Sequence, residues 1–415
     1  MERKIDKVLK EWKEDLNSKV FLLYGTSGTG KTYSALKLGD SFHNYLYFDL
    51  DGEDINLLKD AKETDRLIKA LEREKGDKIS KDNTLLIFDN LFDLKILDKF
   101  KLLIDYKVIV ITSLVSEIFN LREDFIITKE LFFVDFEEYL KALGENVLID
   151  FIKTSYQTGE AMPFHKLALE HFFNYLLFGS NIKSLDNYIK NKKNLNIIHS
   201  REVINGSLST ASIFNTDLKK IKDIISVIPK EFLRDNPKFQ FNLINKGARF
   251  KDYEDSLNVL DINHLIIKVH NLNDIKLPLS KEKDEASFKV YYNHPSLMSY
   301  KLGISDSKLY NSPSCQLILM NSYVSFFLRK LKITPYYYKS QGSLYIPFVF
   351  QTRKGEINAF DISLKINDRS KALTTFTNKY NISRAYKITL DNFTKSDKYK
   401  AIPIYALFVL ENEIY

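Results

Sequence analysis

The sequence predicts an α/β protein whose first part is a doubly wound parallel sheet. Three observations carry that prediction. Apolar runs of strand length, Val20–Tyr24, Tyr45–Asp49, Thr84–Asp89 and Lys107–Ser113, alternate with stretches of helical pattern. Polar residues gather at the carboxyl ends of those runs, where open parallel sheets bind their ligands. A glycine-rich turn also joins the first run to the helix that starts near Lys31.

That turn reads Gly25-Thr26-Ser27-Gly28-Thr29-Gly30-Lys31-Thr32, which fits the phosphate-binding P-loop. Its glycines let the backbone curl until successive N–H groups point inward, and the helix adds the positive end of its dipole. Lys31 is placed to hold the β- and γ-phosphates, and the Thr32 hydroxyl to meet Mg²⁺. A nucleoside triphosphate is the expected ligand. No guanine-reading Asn-Lys-x-Asp motif is evident, which favours ATP.

The strand Thr84–Asp89 is a continuous apolar run ending in a carboxylate, as a buried parallel strand would be. Asp89 is the Walker B candidate for the metal, beside Thr32, with a loop or capping residue as the plain alternative. Asn90 follows, where many P-loop ATPases carry a glutamate. An amide can orient water but cannot take its proton, so general-base help of roughly 10²–10⁴-fold would be missing. Hydrolysis should be slow unless another acid, Asp93 being the nearest candidate, substitutes. The β-branched strand Lys107–Ser113 ends in two hydroxyls; Thr112 is either a sensor of the γ-phosphate or part of a Ser/Thr turn.

In this order, P-loop, Leu-Leu-Ile-Phe-Asp, Ile-Thr-Ser and then Leu131–Leu140, the chain resembles AAA-like P-loop ATPases of bacteria and archaea. In those proteins a Pro-Phe-Ser-Phe-x-Glu-Phe-Leu-like segment follows the ATPase core, and a restriction-endonuclease-like domain ends the chain. Phe136, Glu138, Tyr139 and Leu140 match the segment, while Phe133 stands in place of its proline. Tyr175–Ser180 and Phe288–Tyr292 with Leu297-Met298 match later pieces more loosely. The plain reading of Leu131–Leu140 is an amphipathic helix start.

The resemblance implies a P-loop ATPase core over 1–144, a helical lid over 145–230, a winged-helix-like domain over 231–284 and a restriction-endonuclease-like domain over 285–415. It also provides a test of the last domain, because such nucleases hold Mg²⁺ with two carboxylates and use a lysine. On the matching strands Pro347 stands where the first acid belongs, Asp361 keeps the second, and Ser363 replaces the lysine. One acid does not assemble an Mg²⁺ site with a base, so the domain reads as a fold without its chemistry. A shifted register using Glu356 and Lys365 is the alternative. The lysines and tyrosines from Tyr336 onward suit either a nucleic-acid surface or strands with one solvated face.

Composition sets limits. A chain of 415 residues should form more than one domain, and a net charge of +7 permits nucleic-acid contact without requiring it. The one cysteine, Cys315, excludes an internal disulfide and fits a reducing cytoplasm. His165 and His171 lie six apart, which is not a metal-ligand spacing on a helix. Arg122 and Arg201 are candidate arginine fingers, though a loop arginine is more often solvated. The expectation is therefore an ATP-binding switch with slow hydrolysis. An ATP-stabilised binding module for DNA or protein is the alternative, and an Mg-dependent nuclease the remote one. The partner and the oligomeric state stay open.

Overall fold

The computed structural model describes residues 1–15, 19–119, 121, 123–193, 196–232, 238–304, 311–366, 371–394 and 399–414. Arg122 lies outside these residues. The chain forms two compact units: Met1–Val134 with Arg201–Thr216 and Ile262–His264, and Asp135–Ser200 with Asp217–Asp261 and Leu265–Tyr415.

The first unit is built on a five-stranded sheet in the order β2-β3-β4-β1-β5, comprising β1 (Val20–Tyr24), β2 (Asn44–Asp49), β3 (Thr84–Asp89), β4 (Lys107–Thr112) and β5 (Ile126–Glu130). All its pairings are parallel. Every residue of β1 and β3 is buried, which is why these strands read as unbroken apolar runs. One face packs Phe48 against Phe88 in a stack at 4.9 Å, with Phe100 edge-on to Phe88 at 5.1 Å. On the other, Ile5, Leu9 and Trp12 of the helix Lys4–Glu14 join Phe21, Leu23, Ile87 and Ile109. The parallel order sends the carboxyl ends of β1, β3 and β4 to one edge, carrying the P-loop, Asp89 and Thr112 with them. The sequence pattern misses β5, because Ile-Ile-Thr-Lys-Glu is an edge strand that exposes polar side chains.

The second unit holds a seven-stranded sheet in the order β12-β11-β10-β9-β8-β6-β7. The strands are β6 (Ile266–Leu272), β7 (Lys283–Tyr292), β8 (Tyr336–Lys339), β9 (Tyr345–Gln351), β10 (Ile357–Ile362), β11 (Arg384–Thr389) and β12 (Lys400–Pro403). The expected boundary at 284/285 falls inside β7, and β6 pairs with both β7 and β8. The stretches 231–284 and 285–415 therefore share one sheet, because backbone pairing joins strands that a linear reading separates. The helix Pro313–Lys330, the antiparallel β8-β9-β10, the helix Lys371–Lys379 and the parallel β11 follow in that order.

The stretch 145–230 is largely helical among its described residues. It is not one body, since Arg201–Thr216 groups with the first unit. The segment after Val134 is a capped helix start: Asp135 accepts the Glu138 N–H at 2.8 Å, and the Glu138 carboxylate accepts the Asp135 N–H at 3.1 Å. Phe136, Tyr139 and Leu140 are buried, and Lys330 bridges Asp135 and Glu411.

Candidate nucleotide site

The loop between β1 and the helix Lys31–Gly39 adopts a backbone that few side chains allow. Gly25 has φ +151°, and a Cβ there would lie 2.3 Å from the Leu131 carbonyl oxygen. Gly28 has φ +85°, and its Cβ would lie 2.5 Å from a Val203 methyl. Both positions require glycine, for conformation and for space. Gly30, also at positive φ, sets the start of the helix, whose free N–H groups make an anion-binding end.

Lys31 is buried, and its Nζ donates to the carbonyls of Gly25 at 2.7 Å and Thr26 at 3.1 Å and to Ser113 Oγ at 3.2 Å. Burial pulls its pKa down to about 8, against the opposing pull of Asp89. Thr32 Oγ1 donates to Asp89 Oδ2 at 2.5 Å, and the Tyr47 hydroxyl donates to the same oxygen at 3.1 Å. Asp89 Oδ1 accepts the Asn90 N–H at 2.7 Å. Burial first and Asp89 next hold the Tyr47 phenol far above its ordinary value, so it remains a donor.

Asn90 sits in the left-handed region at φ 57°, which asparagine tolerates better than most residues. Its amide donates to Asp49 Oδ1 at 2.9 Å. Asp93 caps the following turn by accepting the Lys95 N–H, and Thr112 also turns to backbone. The Thr112 hydroxyl donates to the Leu91 carbonyl at 2.5 Å and accepts the Leu114 N–H at 3.1 Å. The hydroxyl that faces Lys31 belongs to Ser113. Two adjacent hydroxyls signal a polar strand end, but which of them faces the loop depends on neighbours the sequence does not name.

Other residues around the loop carry no local signal. Arg3, buried, donates to the Thr29 carbonyl at 3.1 Å and to the Phe132 carbonyl at 2.9 Å. Thr29 donates to the Thr26 carbonyl at 3.0 Å. Thr26 Oγ1 donates to the carbonyls of Asn263 at 3.3 Å and His264 at 3.0 Å, and His264 Nδ1 lies 2.6 Å from Glu130 Oε1. From the helix Asn196–Ser212, Val203 meets Gly28 and Gly206 meets Ser27 so closely that a Cβ on Gly206 would stand 1.9 Å from Ser27 Oγ. Arg201, on the same helix, is exposed.

Around the predicted nuclease positions, Pro347 is buried on β9 and Asp361 is half-buried on β10. Both line one cavity that Glu356 and Lys365 do not. The Ser363 hydroxyl donates to the Lys365 carbonyl at 2.9 Å. Among the described residues no group of three His, Cys, Asp or Glu side chains could hold a metal. His165 pairs with the Tyr405 hydroxyl at 2.9 Å, and His171 lies 3.6 Å from Glu145. No described helix is long and apolar enough to cross a membrane.

Glycine-lined loop, helix start, and acids at the ends of neighbouring parallel strands define a P-loop NTPase-like fold for the first unit. No protein-family model matches the chain, and no curated protein matches it. Among solved structures the chain is similar to a Signal Transduction ATPase with Numerous Domains (STAND) protein with a tetratricopeptide repeat sensor, from Pyrococcus horikoshii. The identity is 15%, over 80% of this chain and 49% of that one, with a TM-score of 0.27. The chain thus spans about half the length of that protein, and a likeness at this score carries no weight for function.

Proposed function

We propose that the chain is an ATP-binding, AAA-like P-loop ATPase that works as a nucleotide-driven switch with slow hydrolysis. The observation that carries this reading is the meeting of Thr32 and Asp89 at 2.5 Å beside a buried Lys31. A hydroxyl from the first turn of the helix Lys31–Gly39 and a carboxylate from the end of β3, in contact, are the hard oxygen donors Mg²⁺ takes alongside phosphate oxygens and water. Thr32 and Asp89 would hold the ion, which when bound neutralises charge on the phosphates. Lys31 would leave the Gly25 and Thr26 carbonyls for the β- and γ-phosphates, and the N–H groups of the loop would cradle them. Ser113, whose hydroxyl accepts from Lys31 Nζ, would follow the terminal phosphate beside Thr112, the other sensor candidate.

Asn90 supports slow turnover: its amide has no basic lone pair to take a proton, and it is tied to Asp49. The same tie favours, as a second reading, a module that retains ATP for shape without turnover and acts through a DNA or protein partner. For the C-terminal part we keep the reading of a restriction-endonuclease-like domain without activity. The helix-strand-strand-strand-helix-strand order supports the fold, and the buried Pro347 supports the lost chemistry.

The test is calorimetric titration with Mg²⁺ and ATP, together with phosphate release. A dissociation constant in the micromolar range, about −8 kcal/mol, is expected for the wild type and none for Lys31→Ala. Equal binding in the two proteins refutes the reading. Tight binding with turnover at ordinary ATPase speed keeps the site and removes the claim of slowness.

A further inference from the structure

The second unit contains a cavity of about 500 Å³ within the size range of small-molecule sites, at a place with no part in the P-loop. Lys238, Lys289 and Lys339 line it from three separate elements, the stretch just before the short turn Phe241–Leu243, strand β7 and strand β8. Lys289 is held in position: its Nζ donates to the Tyr345 hydroxyl at 2.6 Å and lies over the rings of Tyr345 at 4.9 Å and Tyr337 at 5.8 Å. Phe232 and Tyr291 also line the cavity, with ring centroids 4.8 Å apart.

Acceptors complete the lining. Asn321 lines the cavity and donates its amide N–H to the Leu317 carbonyl at 2.8 Å, and its amide oxygen is an acceptor. Asp361 adds a carboxylate. Glu231, the other acid, holds the Gln240 N–H at 3.0 Å. A matching ligand therefore carries a compact anion for the lysines, a flat body for the rings, and N–H groups for Asp361 and Asn321. A simple phosphate lacks the second and third features, and an aromatic amine lacks the first.

We propose that this cavity binds a nucleoside monophosphate unit, its phosphate on Lys289 and Lys339 and its base against Phe232 and Tyr291. The same unit is presented by a free nucleotide and by the 5′-phosphorylated end of a nucleic-acid strand. The test separates the two sources by titrating the full chain carrying Lys31→Ala, which silences the P-loop, with AMP and with a 5′-phosphorylated single-stranded oligonucleotide. Adenosine, which lacks the phosphate, serves as control.

AMP binding at least as tight as the oligonucleotide assigns the site to free nucleotides. An oligonucleotide roughly tenfold tighter assigns it to strand ends, and in either case adenosine and Lys289→Met should weaken binding roughly tenfold or more. Lys339 is exposed on the last residue of its strand, so Lys339→Glu should also weaken binding without disturbing the fold, a check should Lys289→Met melt early. Failure of both probes to bind, or binding unchanged in both lysine variants, overturns the proposal. It stands or falls separately from the P-loop reading, since that loop is disabled in every titration.

Discussion

The hydroxyl of Thr26 donates to the backbone carbonyl of His264 at 3.0 Å, tying the P-loop to a residue 238 positions further along the chain. His264 itself has φ 58° and lies against Glu130. A second distant segment, Arg201–Thr216, belongs to the same compact unit and sets Val203 and Gly206 on the loop. In sequence, both segments are flanked on either side by residues of the second unit. The loop is thus contacted by two short segments of distant sequence that pack within its own unit.

Gly206 tests that contact. Alanine inside a helix ordinarily gains about 0.5–1 kcal/mol over glycine. Here the new Cβ would stand 1.9 Å from Ser27 Oγ and 2.8 Å from Ser27 Cβ, so overpacking of about 1–3 kcal/mol should win. Gly206→Ala is expected to lower the melting temperature, and adding Ser27→Gly should recover part of the loss. A chemical-denaturation double-mutant cycle measures this, and purely additive effects would show that the two residues do not touch.

Thr112 and Ser113 should separate structure from ligand contact. Thr112→Val removes two buried hydrogen bonds and should cost about 1–3 kcal/mol of stability. Ser113→Ala loses one partly buried bond to Lys31 and should leave stability nearly unchanged while shifting ATP affinity or turnover. Denaturant melts alongside ATP titrations distinguish them; a reversed pattern would return the sensing role to Thr112.

Asn90 governs turnover in this reading, and its geometry constrains the obvious variant. Asn90→Glu should raise phosphate release, but glutamate at φ 57° costs about 1–2 kcal/mol and sets a carboxylate beside Asp49. The pair Asn90→Glu with Asp49→Asn should therefore be more stable than the single variant and hydrolyse faster than wild type. A rate no higher than wild type in both proteins would mean that a missing base is not what limits the reaction.

Lys31 predicts a pH signature. Its folded pKa, pulled down by burial to about 8 from an ordinary 10.5, lies below the unfolded one. The cost of burying its charge is complete below about pH 8 and is relieved between about 8 and 10.5, because there the unfolded chain binds the extra proton. Through this group the ligand-free protein gains stability across that window. A bound triphosphate would restore the charge, so near pH 8.5 binding should take up protons. Calorimetry in buffers of different ionisation enthalpy reads the uptake directly; none in wild type would contradict the buried, depressed lysine.

The parts legible in the sequence are those whose cause is local. A left-handed backbone favours glycine, and a strand buried on both faces favours apolar residues throughout, so the loop Gly25–Thr32 and the runs Val20–Tyr24 and Thr84–Asp89 are readable without a partner in view. Edge strand β5 is not, because a solvated edge removes the apolar pattern that marks a strand.

By itself the sequence determined a glycine-rich turn of P-loop pattern after β1, an acid closing the buried strand β3, and an amide next to that acid. Only the tertiary structure decided that Ser113 rather than Thr112 faces Lys31, that Arg3 and Tyr47 back the site, and that Val203, Gly206 and His264 close on the loop. It also decided that β6, β7 and β8 form one sheet across an expected boundary. The reason is physical: these are contacts between residues tens to hundreds of positions apart, settled by strand order and packing, for which no residue carries a mark in its own neighbourhood.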